Sequence, residues 1–366
     1  MLRRFVGPLI AAAISLAGPA AAAGLEPILA KAMEGSKVPA MGLLVIRGER
    51  VEAEAVRGVR DVGGGPVRGD DVWHIGSDGK AMTDAMIARL VEHGVLSWTT
   101  PLERMLPGLA ASMQPQYRTV TLVQLLSHHS GLPHDIADEK TLQAMFWNQR
   151  AGSLTAQRYA YVARALQDPP VGPTSATNYS NSGLLIAAVV AERATGKTYE
   201  DLMRQEVFGP LGMTHVGFGV THPPQLRGHI DGRVATLEDA NPAFFAPAGN
   251  MYMPLADWAR FCIDQLEGAR GHGKLLKPES YRLMQTAQPG GDTALGFGVQ
   301  ARLAGRRGPV LVHGGSDGTW FALVALFPGS GSGALVTANA GDSMGGDVAA
   351  TAALKAAVAD LAPPAS

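Results

Sequence analysis

The chain has 366 residues, with 31 basic and 32 acidic side chains, a formal net charge of −1, 46% hydrophobic and 17% charged residues. That apolar share excludes a mostly disordered chain, and the balanced charge argues against nucleic acid as a partner, because phosphate binding needs a basic surplus. The single cysteine, Cys262, excludes an intrachain disulfide and a cysteine-built zinc site, while the length leaves ample room for a core. In chain order, residues 1–23 read as a secretory signal peptide: Arg3 and Arg4, an apolar run from Phe5 to Ala17, then Ala21-Ala22-Ala23 before Gly24. The run is too short for a stable membrane span. No later stretch is long and apolar enough to cross a bilayer, so an exported, periplasmic protein is expected, with no stable span after cleavage.

Residues 25–36 form an amphipathic pattern with Leu25, Ile28, Leu29 and Met33 on one side. Met41 to Arg47 reads as a strand, Gly48-Glu49-Arg50 as a hairpin turn and Val51 to Val56 as a second strand. After a Gly-rich loop, HIGSDGK opens a helix whose apolar stripe is Met82, Met86, Ile87, Leu90 and Val91, stopping at Gly94. From Trp98 to about Pro289 the pattern is helical, broken by Pro and Gly loops. Thr121 to Gln124 is a capping box, Ser182 to Thr195 is an apolar helix ended by Gly196, and Pro254 to Leu266 and Pro278 to Thr286 carry proline in the first turn. Cys262, between Trp258, Phe261 and further apolar neighbours, reads as a small buried hydrophobe. Phe297 to Leu303, Val310 to His313, Trp320 to Phe327 and Ala334 to Asn339 are β-type runs, and Asp347 to Leu361 is a closing helix. Strands at both ends with helices between predict an α+β fold: one antiparallel sheet flanked by helices, with an inserted, mostly helical subdomain. The expected division of a single domain, 24–366, is an α/β part at about 24–96 and 290–366 and a helical part at about 97–289.

Three groups of residues can carry chemistry. Ser77 and Lys80, three apart at a predicted helix start, lie on neighbouring positions of one face. A serine hydroxyl needs a base, and a buried lysine with a lowered pKa can be one. The same pattern also fits Ser77 as a helix cap with a solvated Lys80. Tyr179-Ser180-Asn181 precedes the apolar helix, where Asn181 can equally be a cap and Tyr179 a partly buried aromatic. His313-Gly314-Gly315 follows a β-type run, where glycine lets another chain or a ligand approach the backbone, although His313 can also be a core histidine. Gly314-Gly315-Ser316-Asp317-Gly318 fits the G-x-S-x-G nucleophile elbow, but no histidine follows to complete its chain order. His128, His129, His134 and Asp135 suggest a metal site only weakly, because their spacing is unlike a paired-histidine helix motif.

Taken together, HIGSDGK, NYSN and VHGGSDG, with LLSHHSGLP at 125–133, FGPLGM at 208–213 and PAGNMYMPLADWARF at 247–261, resemble the serine β-lactamase and D-alanyl-D-alanine peptidase superfamily. The likeness is to its class C β-lactamase-like and esterase branch. It implies Ser77 as nucleophile with Lys80 as its lysine, Tyr179 as general base, and Asn181 bonding the lysine or the substrate. It further implies His313, Gly314 and Gly315 along the substrate, an oxyanion hole of the Ser77 and Ser316 N–H groups, and no cofactor or metal. Lys80 and Tyr179 share the proton load, and either can be the main base. The implied substrate is a small ester, β-lactam or D-Ala peptide. The third motif is His-Gly-Gly rather than Lys-Thr-Gly, and a histidine is mostly neutral at pH 7. That favours a carboxylesterase-like enzyme over a β-lactamase or carboxypeptidase; a non-catalytic muropeptide or penicillin binder is the alternative from another class. Gly79 stands where threonine is common in such proteins. Substrate-choosing loops are expected around 134–170 and 215–250.

Overall fold

The computed structural model describes residues 24–61, 64–147 and 152–363, so the segment 1–23 read as a signal peptide lies outside the described residues. Six strands build the main sheet: β1 (Ala40–Arg47), β2 (Arg50–Gly58), β3 (Gly298–Leu303), β4 (Arg306–Ser316), β5 (Phe321–Phe327) and β6 (Ser332–Ala338). Their order is β2-β1-β6-β5-β4-β3, with every neighbour antiparallel. The sheet therefore joins the two ends of the chain, as the alternation of β-type runs predicts. The helices that bear on the site are α1 (Glu26–Met33), α2 (Lys80–Glu92), α3 (Leu122–Leu126), α4 (Leu154–Ala165), α5 (Asn181–Thr195), α6 (Leu255–Ala269), α7 (Pro278–Gln285) and α8 (Gly346–Ala357).

Period-two alternation splits the sheet's apolar residues between two cores. Leu43, Val45 and Val336 face a smaller core with Leu29 of α1 and Ala350 and Ala353 of α8. Leu44, Ile46 and Leu335 face a larger one with Trp258 and Phe261 of α6 and the helical region beyond. β1 and β6 are central and covered on both faces, which is why their sequences, AMGLLVI and SGALVTA, are almost continuously small or apolar. α5 is buried nearly all round and runs through the larger core. It is capped by Ser180, whose hydroxyl accepts from the Gly183 N–H, and it ends at Gly196 in the left-handed region. The Thr121–Gln124 capping box forms as expected at the start of α3.

Two features depart from the sequence reading. β4 extends through His313, Gly314, Gly315 and Ser316, so the glycines lie inside a strand and not after it. The region read as mostly helical also contains small ribbons: Met251–Met253 pairs with Gly217–Phe218 and, from outside that region, with Trp73–His74, and His229–Ile230 pairs with Arg233–Val234. Segments of two or three residues are too short to show a period. Among the described residues, no helix is long and apolar enough to cross a membrane.

Candidate active site

The site starts from a tight turn. Gly76 adopts φ +50 and opens a 3₁₀ turn, Gly76–Gly79, that leads directly into α2 at Lys80. One turn of spacing brings Lys80 Nζ to 2.8 Å from Ser77 Oγ, to which it donates. Nζ also donates to the Ala248 carbonyl. Neither of the bland alternatives for this pair survives: the position before α2 is Gly79, with no side-chain cap, and Lys80 is fully buried. Burial lowers the Lys80 pKa from 10.5 to about 7, with Asp135, Asp84 and Asp78 acting in the opposite direction. Asp78 and Asp84 are themselves buried carboxyls pushed well above the ordinary range by desolvation, which makes them poor counterions. A Cβ at Gly79 would sit 2.4 Å from the Met251 Cε, the end of a flexible side chain that can move aside.

Tyr179 stands in the extended segment before α5. Its side chain bonds Ser77, and its ring centroid lies 5.0 Å from Lys80 Nζ. Burial raises its pKa, and the Ser77 bond only partly offsets that. Histidines surround the ring: His128 at 4.4 Å between centroids, His134 at 5.5 Å and His313 at 6.2 Å. His128 sits at φ 64, its carbonyl accepts the Asn178 N–H at 2.7 Å, and its Nδ1 accepts the Ser180 N–H at 3.2 Å. It thus grips the segment on both sides of Tyr179. Desolvation, then the Lys80 charge, keeps His128 well below its usual pKa, so the ring is neutral.

Of the two partners the resemblance implies for Asn181, the lysine is not the one it bonds here. Ser180 takes the cap position, and Asn181 begins α5. The Asn181 amide donates to Asp135 Oδ2 at 3.3 Å, while Lys80 is held by Ser77 and Ala248. Asp135 also accepts the Tyr161 hydroxyl at 3.1 Å and pairs with His134 Nδ1 at 2.6 Å. His134 and Asp135 therefore belong to the wall beside Tyr179. His129 is bonded through Nδ1 to the Ser127 carbonyl at 2.8 Å. Among the described residues, no group of three or more His, Cys, Asp or Glu side chains is arranged to hold a metal ion.

The third motif closes the site from the sheet edge. A Cβ on Gly315 would lie 2.0 Å from the Ile75 carbonyl oxygen and 2.7 Å from the Ser77 nitrogen. A Cβ on Gly76 would lie 2.4 Å from the Ser316 nitrogen. Only two bare backbones can pack so closely, and the packing brings the Ser77 and Ser316 backbones side by side. Two N–H groups so placed can stabilise a tetrahedral oxyanion. Half-buried His313 donates from Nδ1 to the Gly296 carbonyl at 2.9 Å. Desolvation, with the Lys80 charge added, holds its pKa down to about 4, so it brings no positive charge at neutral pH. Ser316 Oγ donates to the Trp320 carbonyl at 2.8 Å, which commits its proton to the turn. A cavity of about 480 Å³ opens beside Tyr179, His313 and Gly314, with Phe297 and Leu323 in its wall.

Ser77, Lys80, Tyr179, His313, Gly315 and Ser316 thus converge from three separate segments. The arrangement can deprotonate a hydroxyl, hold a carbonyl oxygen and admit a largely apolar group. The Ala248 carbonyl and the gripping role of His128 escaped the sequence reading. A backbone carbonyl has no side-chain signal, and the only pointer to His128 was its place in LLSHHSGLP.

The Beta-lactamase family model matches residues 25–359 of this chain. Penicillin-binding protein 4 of Amycolatopsis lactamdurans is 31% identical, over 74% of this chain and 73% of that protein. The D-alanyl-D-alanine-carboxypeptidase/endopeptidase AmpH of Escherichia coli (strain K12) is 26% identical, over 82% of this chain and 80% of that protein. The crystal structure of a D-stereospecific amidohydrolase from Streptomyces sp. shares the fold, with a TM-score of 0.71 at 21% identity, covering 90% of this chain and 97% of that one.

Proposed function

The chain belongs to the Beta-lactamase family of serine hydrolases, and from that premise we propose that it hydrolyses esters or amides through an acyl-enzyme on Ser77. The observation that carries this is the fully buried Lys80, its Nζ 2.8 Å from Ser77 Oγ and its pKa near 7. An amine that is half neutral at physiological pH can accept the Ser77 proton as Oγ attacks the carbonyl. The Tyr179 phenol, its pKa raised by burial, stays protonated at rest. It therefore fits a relay that passes a proton to the leaving group, with Lys80 as the main base. The two groups touch one hydroxyl and titrate as a coupled system. The Ser77 and Ser316 N–H groups hold the oxyanion, each worth about 3 kcal/mol of barrier. Water then attacks the acyl carbonyl, gives its proton to Lys80, and releases the acid and Ser77.

The neutral His313 favours a small, carboxylesterase-like substrate over one anchored by a carboxylate. A D-Ala peptidase is the second reading, favoured by the D-alanyl-D-alanine-carboxypeptidase named among the relatives. The segment 1–23, read as an export signal, fits both and supports a periplasmic enzyme as part of this proposal. The test compares the mature chain with Ser77→Ala on a short-chain nitrophenyl ester, a chromogenic cephalosporin and a D-Ala-D-Ala peptide, with mass spectrometry for adducts. Expected is ester turnover and a Ser77 adduct, both lost in Ser77→Ala. Ester turnover retained by Ser77→Ala refutes the nucleophile. A lasting penicillin adduct without turnover of any substrate identifies a binder instead.

A further inference from the structure

His74 and Asp317 take no part in the chemistry above, yet they lie behind the two segments that carry the Ser77 and Ser316 N–H groups. His74 is 2% exposed, and its Nδ1 accepts the Gly76 N–H at 3.2 Å. A ring nitrogen that accepts carries no proton, so the proton of a neutral His74 is on Nε2. Nε2 lies 3.9 Å from Asp317 Oδ2, with both side chains buried. Neither atom has a hydrogen-bond partner. Asp317 Oδ1, by contrast, accepts from Thr319 N at 3.0 Å, Thr319 Oγ1 at 2.8 Å and Trp320 N at 3.2 Å. Those bonds fix the turn that follows Ser316.

A turn of this kind uses only one carboxylate oxygen. The stack of His74 on Trp320, 6.3 Å between centroids, uses only a ring. Neither role explains a buried donor facing a buried acceptor, each of which is costly to leave unpaired. A cavity of about 110 Å³ behind the pair, lined by His74, Asp317, Thr221, Arg227 and Thr319, has room for a bridging water.

We infer that His74 and Asp317 are positioning residues for the oxyanion donors, with the His74 Nε2–H and Asp317 Oδ2, directly or through one water, tying the Gly76–Ser77 turn to the Ser316 turn. The inference rests on the acyl-enzyme reading, because that reaction gives both N–H groups their purpose. No bond is made or broken at either residue. Their coupling sets the distance between two donors that must converge on one oxygen, and such donors act by being fixed in advance.

The test uses Asp317→Asn, His74→Phe and the double variant. Asp317→Asn keeps the acceptor for Thr319 and Trp320 and turns an amide donor toward Nε2–H. His74→Phe keeps the stack on Trp320 and removes both nitrogens. The burst rate and apparent Kd for a nitrophenyl ester are measured, with melting temperature alongside. Loss of a whole oxyanion donor costs about 10²–10³-fold, so misplacing one is expected to slow acylation about 10–100-fold in each single variant. Apparent Kd is expected to hold within about twofold, and the double variant to be no slower than the slower single one, as for two parts of one interaction. Wild-type acylation in either folded single variant, a loss confined to Kd, or multiplying losses in the double variant overturns the inference. If one single variant fails to fold, the other decides. A wild-type chain with no burst and no Ser77 adduct refutes the acyl-enzyme reading, whereas a normal wild-type burst with unaltered variants refutes the positioning alone.

Discussion

Replacing Lys80 with methionine is expected to make the protein more stable at pH 6 while stopping its chemistry. Lys80 is fully buried, and its pKa falls from 10.5 to about 7 chiefly through desolvation. At about 1.4 kcal/mol for each tenfold change in proton affinity, holding the ammonium there costs folding about 5 kcal/mol. Methionine fills nearly the same volume without charge. It gives up the hydrogen bonds to Ser77 and Ala248, worth about 1 kcal/mol each. The net expectation is a gain of roughly 2–3 kcal/mol at pH 6. The sign then depends on pH. Below pH 7 both folded and unfolded wild type carry the proton, and the penalty is fully present. Between pH 7 and 10.5 the unfolded chain still holds a proton that the folded chain has released, so wild-type stability rises with pH. Above 10.5 the penalty is gone, and Lys80→Met is expected to be the less stable by about 2 kcal/mol, its two hydrogen bonds. Denaturant unfolding of both chains from pH 6 to 11 measures the difference, in which contributions common to both cancel. The acylation rate of the variant is expected to fall about 10²–10⁴-fold. A pH-independent difference, or a variant less stable at pH 6, would refute the assignment of Lys80 as a desolvated amine.

Other substitutions probe the remaining parts. Gly315→Ala places a methyl 2.0 Å from the Ile75 oxygen and 2.7 Å from the Ser77 nitrogen; acylation is expected to fall by about 10² or more, and an unchanged burst rate would show that the backbones separate freely. His313→Lys adds a cation where the histidine is neutral; a new charge-assisted bond of about 1.5–3 kcal/mol should move kcat/KM toward a D-Ala-D-Ala peptide, relative to a neutral ester, by about tenfold or more, and no movement would place the peptide carboxylate elsewhere. Arg158 lies buried between Glu192 at 2.7 Å and Glu200 at 2.9 Å; Arg158→Met leaves both carboxylates without their cation and should cost about 3–5 kcal/mol in denaturant unfolding, so a loss well below that would mean the cluster relaxes or takes in water.

Much of this architecture is legible in the residues because it rests on local rules. Alternating runs at 41–56 and 297–339 name the strands, and Thr121–Gln124 and Gly196 mark helix ends. The parts that escaped are settled by distant atoms. Gly314 and Gly315 read as following a strand, but they continue β4, and the turn at Ile75–Ser77 packs into the space where a Gly315 side chain would be. Asn181 turns to Asp135 because the 133–135 loop passes beside the start of α5, which the spacing of Y-x-N cannot reveal. The pairing of His74 with Asp317 joins residues far apart in the chain, each unremarkable by itself.

The union of β1 with β6 also bears on how the molecule comes into being. The Ala40 N–H donates to the Asn339 side chain, 299 residues away. At a synthesis rate of about 5–20 residues per second, roughly 15–60 s separate the two partners on the ribosome. Throughout that interval β1 is a bare strand edge, and the turn bearing Ser77 lacks the β4 backbone that packs against it. On the proposed mechanism, a nascent chain is therefore expected to stay catalytically silent until the C-terminal strands are in place. The same delay leaves a long apolar strand in need of shielding, so folding yield should depend on chaperone supply more than on the stability of the finished molecule.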